Sequence, residues 1–224
     1  MPLRIVSWNV RSLRDDRAAV VSVLRSLAPD VVALQEAPRF LRSRSRLAAM
    51  ARESGLVFCC GGRASAGTAL LTSLRTDVLR SSESLLPPTP RLHRRGVALA
   101  EVQICGTSSE PLVVASVHLG LDAAERLRHS QVIRELVGAY QGASSVIAGD
   151  LNEGPGKAAW ALLSAGYGDP GALEAIPTYP SRRPEHRIDA VFVPDSWVVD
   201  SQVVTGPAVV AATDHCPVVV DLTL

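Results

Sequence analysis

Residues 3–36, LRIVSWNVRSLRDDRAAVVSVLRSLAPDVVALQE, carry the pattern on which the fold prediction depends. The opening apolar run is typical of a buried strand, and the middle of the stretch spaces its apolar residues as a helix does. Asp15 and Asp16 suit the first turn of that helix, where carboxylates interact well with the helix dipole. Pro29 ends the helix, and residues 31–36 are predicted to form the next strand. The chain therefore opens with a strand, a helix and a strand.

The rest of the chain continues with a second helix, a block of strands, and then helices and strands in alternation. A second amphipathic helix is predicted over residues 39–55, and a third over 122–140 with Leu127, Val132, Ile133 and Leu136 on its core face. The arginines at 39, 42, 44 and 46 could form a phosphate-facing patch or a solvated helix face. Between these two helices, Gly, Ser and Pro turns separate the strand-like segments LVFCCGG, GTALLTS, DVLRSSESLLP, RRGVALAEVQIC and PLVVASVHLG. Strand SSVIAGD, short helix GKAAWALLSAG and strands RIDAVFVP, WVVDSQVVTG and PVVVDLTL complete the chain. The order favours mixed sheets with helices outside over a purely parallel doubly wound sheet.

Composition limits the classes of protein that need to be considered. The chain has 224 residues, of which 47% are apolar and 20% charged, as expected for a globular protein with a sizeable core. Without a repeat or a linker, residues 1–224 are predicted to form one domain. The formal net charge of +1 excludes the global basic field of a nucleic-acid coat protein. No apolar run is long enough for a membrane span and no leader precedes the first strand, so a cytoplasmic, monomeric protein is expected.

The four cysteines are predicted to be reduced, buried thiols. Cys59, Cys60, Cys105 and Cys216 form no CxxC pair, and a chain of this size does not need a disulfide framework.

Polar residues recur at the ends of the predicted strands. Turns favour Asn, Asp and Gly for conformational reasons, but turns do not require carboxylates, amides and imidazoles together. The residues at or beside these ends are Asn9, Gln35, Glu36, His118, Asp150, Asn152, Asp189, Asp214 and His215. Asp189 lies within an apolar strand, where a buried carboxylate needs a partner, either a histidine such as His215 or a metal ion.

Two simpler motifs are excluded because key positions carry the wrong residues. Asp150-x-Asn152 resembles the start of a calcium loop, but Pro155 and Ala161 stand where an EF-hand has Gly and Glu. Gly156-Lys157 lacks the first glycine and the following hydroxyl residue of a phosphate-binding P-loop.

The collected motifs resemble the endonuclease/exonuclease/phosphatase superfamily of DNase I-like, metal-dependent phosphoesterases. They occur in order along the whole chain: SWNV (7–10), ALQE (33–36), SVHL (116–119), GDLN (149–152), RIDAVFV (187–193) and TDHCPV (213–218). The resemblance implies an α/β fold of the α+β kind, a four-layer α/β/β/α sandwich in which two packed mixed β-sheets are flanked by helices. Thr213 departs from the serine that is commoner at its position, but it keeps the hydroxyl.

The resemblance also implies a division of labour in a Mg²⁺ site, with Mn²⁺ as an alternative ion. Glu36 would be the main metal ligand, supported by Asn9 and Asp214. Asp150 would orient or deprotonate the attacking water, and Asn152 would hold that water or a phosphate oxygen. His215, polarised by Asp189, and His118 would contact the scissile phosphate. The sequence leaves open whether Asp150 or His215 is the general base.

The substrate also stays open at this stage. A metal-dependent phosphodiesterase or nuclease acting on nucleic acid is one hypothesis; the same chemistry on a phosphorylated metabolite or lipid headgroup is a second. A silent binding module is a third, disfavoured by the intact set of site residues. Two basic loops beside motif strands, residues 91–95 and 179–183, supply Arg95, Tyr179 and Arg182 as candidate substrate contacts.

Overall fold

The computed structural model describes residues 2–107, 109–140, 143–172, 174–194 and 197–223. Its strands are β1 (Leu3–Asn9), β2 (Val31–Gln35), β3 (Val57–Gly61), β4 (Ala69–Thr72), β5 (Thr76–Leu85), β6 (Gly96–Ile104), β7 (Leu112–His118), β8 (Ser144–Asp150), β9 (Asp189–Phe192), β10 (Val198–Val203) and β11 (Val218–Leu222). Its helices are α1 (Arg17–Leu27), α2 (Ser43–Glu53), α3 (Ala123–Gly138), α4 (Ala158–Ser164) and α5 (Pro207–Ala212).

These strands form two mixed sheets. The first has six strands in the order β10-β11-β1-β2-β4-β3, and the second has five in the order β5-β6-β7-β8-β9. Each sheet contains one parallel pair, β1 with β2 and β7 with β8, and its other pairs are antiparallel. A parallel pair requires a crossover connection, and α1 and α3 lie in the connections of these two pairs.

Three layers of apolar side chains hold the sheets and helices together. Ile5, Val31 and Val114 belong to the layer that the two sheets share. Trp8 and Val20 belong to a layer between the first sheet and its helices, and further apolar side chains join the second sheet to α3 and α4. Adjacent strand residues point to opposite faces, so β1 contributes to two of these layers. The result is the predicted four-layer α/β/β/α sandwich.

Local boundaries differ from the sequence prediction at two helices. The second helix begins at Ser43 rather than near residue 39, because Arg42 adopts a left-handed φ of 56° and the preceding residues form a turn. Helix α5 was not predicted, since PAVVAA is short and rich in β-branched residues. It forms because Pro207 suits the first helical position and because Val209 and Ala212 pack into the same apolar layer as α1.

Two burial predictions also need correction. On α3 the buried apolar side chains are Ile133 and Val137, whereas Leu127, expected on the core face, is 36% exposed. The four cysteines are free thiols as expected, but only Cys60 and Cys216 are buried; Cys59 is half-buried, and Cys105 is exposed because it follows the end of β6 in a surface turn. Across the residues that the structure describes, no helix combines the length and apolarity that a membrane crossing requires.

Candidate active site

The sheet registers bring most of the predicted strand ends to one edge of the sandwich. In the first sheet Asn9 lies opposite Gln35, directly before Glu36. In the second sheet Asp150 lies between His118 on one neighbouring strand and Asp189 on the other. The two parallel pairs therefore deliver the Asn9 amide, an imidazole and two carboxylates to a common cleft, and the antiparallel strand β9 adds a third carboxylate.

Two of these residues hold sparsely populated backbone conformations. Glu36 has a φ of 48° and Asn152 a φ of 51°, both in the left-handed region. Such conformations cost free energy for residues other than glycine and persist where the surrounding structure imposes them, often at functional sites. At Glu36 the constraint is visible, because its carbonyl accepts a hydrogen bond of 2.7 Å from the Ser12 amide.

The Asp150 carboxylate forms a hydrogen bond to the other sheet and lies close to two histidines. Its Oδ2 accepts a hydrogen bond of 2.9 Å from Nδ2 of Asn9 on the other sheet. The same oxygen lies 3.3 Å from Nε2 of His118 and 3.8 Å from Nε2 of His215. Its Oδ1 accepts from the backbone N–H of Asn152 at 3.0 Å. Asp150 is therefore fixed in orientation and flanked by two imidazoles.

Asp189 and His215 form the buried pair that the sequence analysis predicted. Nδ1 of His215 lies 3.0 Å and 3.2 Å from the two Asp189 carboxylate oxygens. Thr178 holds the carboxylate from behind, because its Oγ1 donates to Asp189 Oδ2 at 2.6 Å. The ring of Tyr179 packs on the His215 ring at 4.8 Å between centroids. The pair is thus fixed on both sides, and its Nε2 faces Asp150.

This pairing controls the charge of His215. Burial alone would lower its pKa, but the charge of Asp189, the hydrogen bond to it, and the charges of Asp150 and Asp214 together raise the pKa to about 9. An imidazole with that pKa is a cation at neutral pH. His215 is therefore equipped to interact with negative charge.

The pKa of His118 is shifted in the opposite direction. Burial lowers its pKa to about 3, and the nearby charges of Arg95 and Arg39 act in the same direction, against the opposing effect of Asp150. Nδ2 of Asn152 lies 3.2 Å from His118 Nε2 and donates to the Leu119 carbonyl at 2.9 Å. The amide is a donor, so Nε2 of a neutral His118 acts as the acceptor.

Glu36 and Asp214 lie on the first-sheet side of the cleft. Among the described residues, no hydrogen bond or ion pair engages the Glu36 carboxylate, which lines a cavity of about 220 Å³. Asp214 Oδ2 pairs with Nε of Arg11 at 3.3 Å. The segment that carries Asp214 is held in place, because Thr213 Oγ1 donates to the Asn9 carbonyl and Ser181 Oγ donates to the Thr213 carbonyl.

Two groups of side chains could hold a cation. One is Asp150, Asp189 and His215, whose nearest ligand atoms lie within 4.8 Å of one another. His215 already uses Nδ1 for Asp189, and its raised pKa means that a metal would compete with a proton there. The other is the Glu36 carboxylate, which has no hydrogen-bond or ion-pair partner among the described residues that would compete with a metal. An all-oxygen site suits a hard divalent cation.

Comparisons with known proteins agree with this geometry. A model of the endonuclease/exonuclease/phosphatase family matches residues 6–215. The chain belongs to this family. No curated protein sequence matches it.

Solved structures of the family share the architecture at low sequence identity. An endonuclease/exonuclease/phosphatase from Bacteroides vulgatus has a TM-score of 0.84 and 18% identity over 100% of this chain and 99% of its own. A mannosyl-6-phosphatase from Bacteroides thetaiotaomicron has a TM-score of 0.77 and 18% identity over 99% and 100% of the two chains. D. rerio TDP2, complexed with a single-strand DNA product, has a TM-score of 0.77 and 21% identity over 100% and 99%. Family membership makes the chain a phosphoesterase.

The predicted substrate loops lie on opposite sides of this phosphoesterase site. Arg95 lines the cavity that also contains Glu36 and His118. Tyr179 contacts His215, as described above, whereas Arg182 is exposed on the outer part of its loop. The structure thus places Arg95 and Tyr179 in contact with the site and Arg182 at its periphery.

Sequence reasoning missed several residues that shape the site. Thr178, which positions Asp189, lies in an irregular loop and carries no motif. Arg39 was one of four arginines for which a phosphate-facing patch and a solvated helix face were both left open; it precedes that helix and lines the cavity beside Glu36. Gln35 was found at a strand end but was given no role; it is fully buried, and its Nε2 donates to the Ala33 carbonyl and lies 3.4 Å from the hydroxyls of Ser7 and Ser116. That polar contact joins the two sheets directly beneath the cleft.

Proposed function

We propose that this phosphoesterase is a Mg²⁺-dependent phosphodiesterase of the endonuclease type that acts on nucleic acid. The observation that carries the proposal is the position of Asp150, fixed between a cationic His215 and a neutral His118 beside the unengaged Glu36 carboxylate. Both sheets contribute to this one cleft, which supports treating residues 1–224 as a single domain.

Glu36 is the proposed principal metal ligand, with Asp214 as a second ligand or an outer partner. The donor set fits a hard cation, because carboxylate oxygens suit Mg²⁺ and also Mn²⁺. When bound, the ion supplies positive charge that stabilises the developing charge on the phosphate and the leaving oxygen. Asn9 contributes indirectly, since its amide donates to Asp150.

Asp150 is the proposed general base. His215 holds its Nδ1 against Asp189 and has a pKa raised to about 9, so at neutral pH it has no free lone pair with which to accept a proton. Asp150 has both carboxylate oxygens fixed by hydrogen bonds from Asn9 and Asn152. A water that donates to Asp150 would be oriented for in-line attack, and proximity of this kind accounts for much of an enzymatic rate enhancement.

The remaining polar groups bind the phosphate. His215 donates from Nε2 to a phosphate oxygen and offsets charge that grows in the transition state. Asn152 holds the attacking water or a phosphate oxygen. His118, neutral at pH 7, binds the phosphate or assists the leaving group.

The surface beside the site supports nucleic acid as the substrate. The cavity at Glu36 adjoins an open trough, because Arg39, Phe40 and His93 line both. Arg63 and Arg94 extend the basic lining of this trough. Phosphate contacts of this kind follow a nucleic-acid backbone, and the 76% exposed ring of Phe40 offers a surface on which a base can stack.

A small phosphorylated metabolite is the second candidate substrate. The cavity at Glu36, of about 220 Å³, suits a compact group better than a duplex, and a mannosyl-6-phosphatase shares the fold. A lipid headgroup would be a variant of the same case. The silent-module alternative is weakened because Asp189 and His215 are not only retained but hydrogen-bonded to each other, with Asp150 3.8 Å from the His215 ring.

A hydrolysis panel with Mg²⁺ or Mn²⁺ tests the proposal. It compares single-stranded DNA, structured RNA, supercoiled DNA, bis-p-nitrophenyl phosphate, sugar and inositol phosphates, and sphingomyelin, with EDTA and Asp150→Ala as controls. The proposal predicts metal-dependent cleavage of nucleic acid that weakens steeply as salt rises. Cleavage confined to a sugar phosphate would select the second candidate, and activity that survives both EDTA and Asp150→Ala would rule out both.

A further inference from the structure

Arg95 is a partly buried arginine at the mouth of the cleft. Its side chain lines the cavity beside Glu36 and His118, and its Nε is buried without a hydrogen-bond partner among the described residues. Burial is the main influence on its pKa and lowers it, while Asp150, Glu36 and Glu125 oppose that effect. The Arg95 guanidinium forms no hydrogen bond or ion pair with any described residue, and a charged group without a partner is costly unless a ligand supplies one.

The carboxylate of Glu125 lies behind Arg95. Glu125 is 1% exposed, at the start of α3, and its Oε1 also lacks a hydrogen-bond partner within the described part of the chain. Both groups lie over Gly120. A Cβ added at Gly120 would stand 2.0 Å from Glu125 Oε2 and 3.9 Å from Arg95 Nε. The absence of a side chain at residue 120 therefore leaves room for both groups, and the charge of Glu125 acts on the Arg95 guanidinium without an ion pair between them.

The charge of the cavity is unbalanced in favour of cations. Arg14, Arg39, Arg95 and His93 line it, and Glu36 is the one acid among its lining residues. Arg39 donates to the Ala66 carbonyl at 3.3 Å, and no carboxylate of the described residues forms an ion pair with it. If Glu36 is engaged by a divalent cation, the excess of positive charge grows further. A single scissile diester, with one negative charge, would leave most of that excess unmatched.

We propose that Arg95, positioned by Glu125 over Gly120, binds a second phosphate group of the substrate beside the scissile one and so sets the specificity of the site. This inference rests on the proposed phosphodiesterase function. Arg95 is the binding residue, because its guanidinium faces the cavity and matches the geometry of phosphate oxygens. Glu125 is a positioning residue that acts through Arg95. The second phosphate can be a neighbouring backbone phosphate or a terminal one, since both present negatively charged oxygens to the guanidinium.

The test compares dinucleotides that differ by one phosphate. Thymidine dinucleotides with a 5′-phosphate, with a 3′-phosphate and with neither are titrated calorimetrically, in the presence of Mg²⁺, into Asp150→Asn protein. We expect at least one added phosphate to lower Kd by roughly tenfold or more, as charge-assisted hydrogen bonds do. Whichever terminus gives the effect shows on which side of the scissile bond the subsite lies. A Kd ratio near one for both termini, or no measurable binding of any of the three, overturns the proposal.

Variants in the same Asp150→Asn background separate binding from positioning. Arg95→Met should reduce the Kd ratio to below about twofold, Glu125→Gln should reduce it partly, and the double variant should match Arg95→Met alone, because Glu125 acts through Arg95. Arg80→Met, which removes an exposed arginine paired with Glu101 on β5 and β6, is the control and should keep the parent ratio. A ratio retained by Arg95→Met overturns the assignment. General damage by Glu125→Gln would weaken all three ligands equally and leave the ratio intact, which would contradict the positioning role.

Hydrolysis of the same dinucleotides by the wild-type chain separates this inference from the proposed function. If none is cleaved although the binding ratio holds, the nucleic-acid function is wrong and the second-phosphate subsite stands. If they are cleaved without regard to the added phosphate and the binding ratio is near one, the function stands and the subsite is wrong.

Discussion

His118 and His215 flank the same carboxylate and are equally buried, each 6% exposed, yet they differ in charge. The pKa of His215 is raised to about 9, and that of His118 is lowered to about 3. Burial acts in the same direction on both, so it does not explain the difference. What differs is the partner, since Asp189 binds His215 while an amide and two arginines surround His118.

The comparison shows how one cleft supplies two kinds of chemistry. On one side of Asp150 a cationic donor is available for a phosphate oxygen, and on the other a neutral ring accepts the Asn152 amide. Pairs of titratable groups whose surroundings separate their pKa values are a recurring basis for assigning catalytic roles. Changing His215, its partner Asp189 or His118 one at a time separates the two roles.

Removing the cationic histidine should have the largest effect. His215→Gln keeps a polar side chain of similar size but cannot carry a positive charge, and we expect kcat on the best panel substrate to fall by about 10³-fold. Steady-state kinetics with Mg²⁺ measure this. His186→Gln, at an exposed histidine of the neighbouring loop, is the matched control and should retain wild-type kinetics. Equal losses in the two variants would contradict the role of His215.

Removing the partner of His215 should have the next largest effect. Asp189→Asn preserves a hydrogen-bond acceptor but deletes the charge that raises the pKa of His215, so we expect kcat to fall by about 10²-fold. Histidine NMR of the metal-free protein should show the pKa of His215 moving down from about 9. A fall in kcat with that pKa unchanged would mean that Asp189 acts in another way.

Substitution of the neutral histidine should cost less. His118→Gln retains a group that can accept the Asn152 amide and removes no charge at neutral pH, so we expect kcat to fall by about tenfold. The same assays apply. A loss as large as that of His215→Gln would show that the two rings do not differ as the structure indicates.

The pH dependence of stability should differ in sign between the two rings. The folded-state pKa of His215 is above that of an unfolded histidine, so its stabilising contribution is complete below pH 6.5 and is lost as pH rises toward about 9. The folded-state pKa of His118 is below the unfolded value, so stability is lost as pH falls from 6.5 toward about 3.

Urea unfolding in EDTA, with each histidine replaced by glutamine in turn, measures these contributions. His118→Gln should lose less stability than the wild type between pH 6.5 and pH 4. His215→Gln should lose less between pH 6.5 and pH 9. Identical pH profiles in both variants and the wild type would contradict the assigned charges.

Much of the fold and the central site could be predicted from the sequence because their signals are local or pairwise. Strand periodicity located the strands, and an aspartate within an apolar strand requires a partner, which led from Asp189 to His215. Helix α5 could not be predicted, because a six-residue segment rich in valine is helical only through its packing against the layer that includes α1.

Other residues that shape the site could not be predicted from the sequence for a related reason. Thr178 lies in a loop and Glu125 at a helix start, and the positions of both depend on the packing of distant elements. Glu125 in particular follows an N-cap aspartate and has the sequence of an ordinary first-turn acid, yet it is buried against Gly120. Nothing in the residues near it signals that contact.

The most direct measurement of the central claim is the rate of metal-dependent phosphodiester hydrolysis by Asp150→Asn. Asp150 is the group on which the two histidines and both sheets converge, and the amide keeps its shape while removing its ability to take a proton. The account predicts a loss of at least about 10³-fold in kcat, with the exposed Asp77→Asn control unchanged. Hydrolysis by Asp150→Asn at the wild-type rate would contradict it.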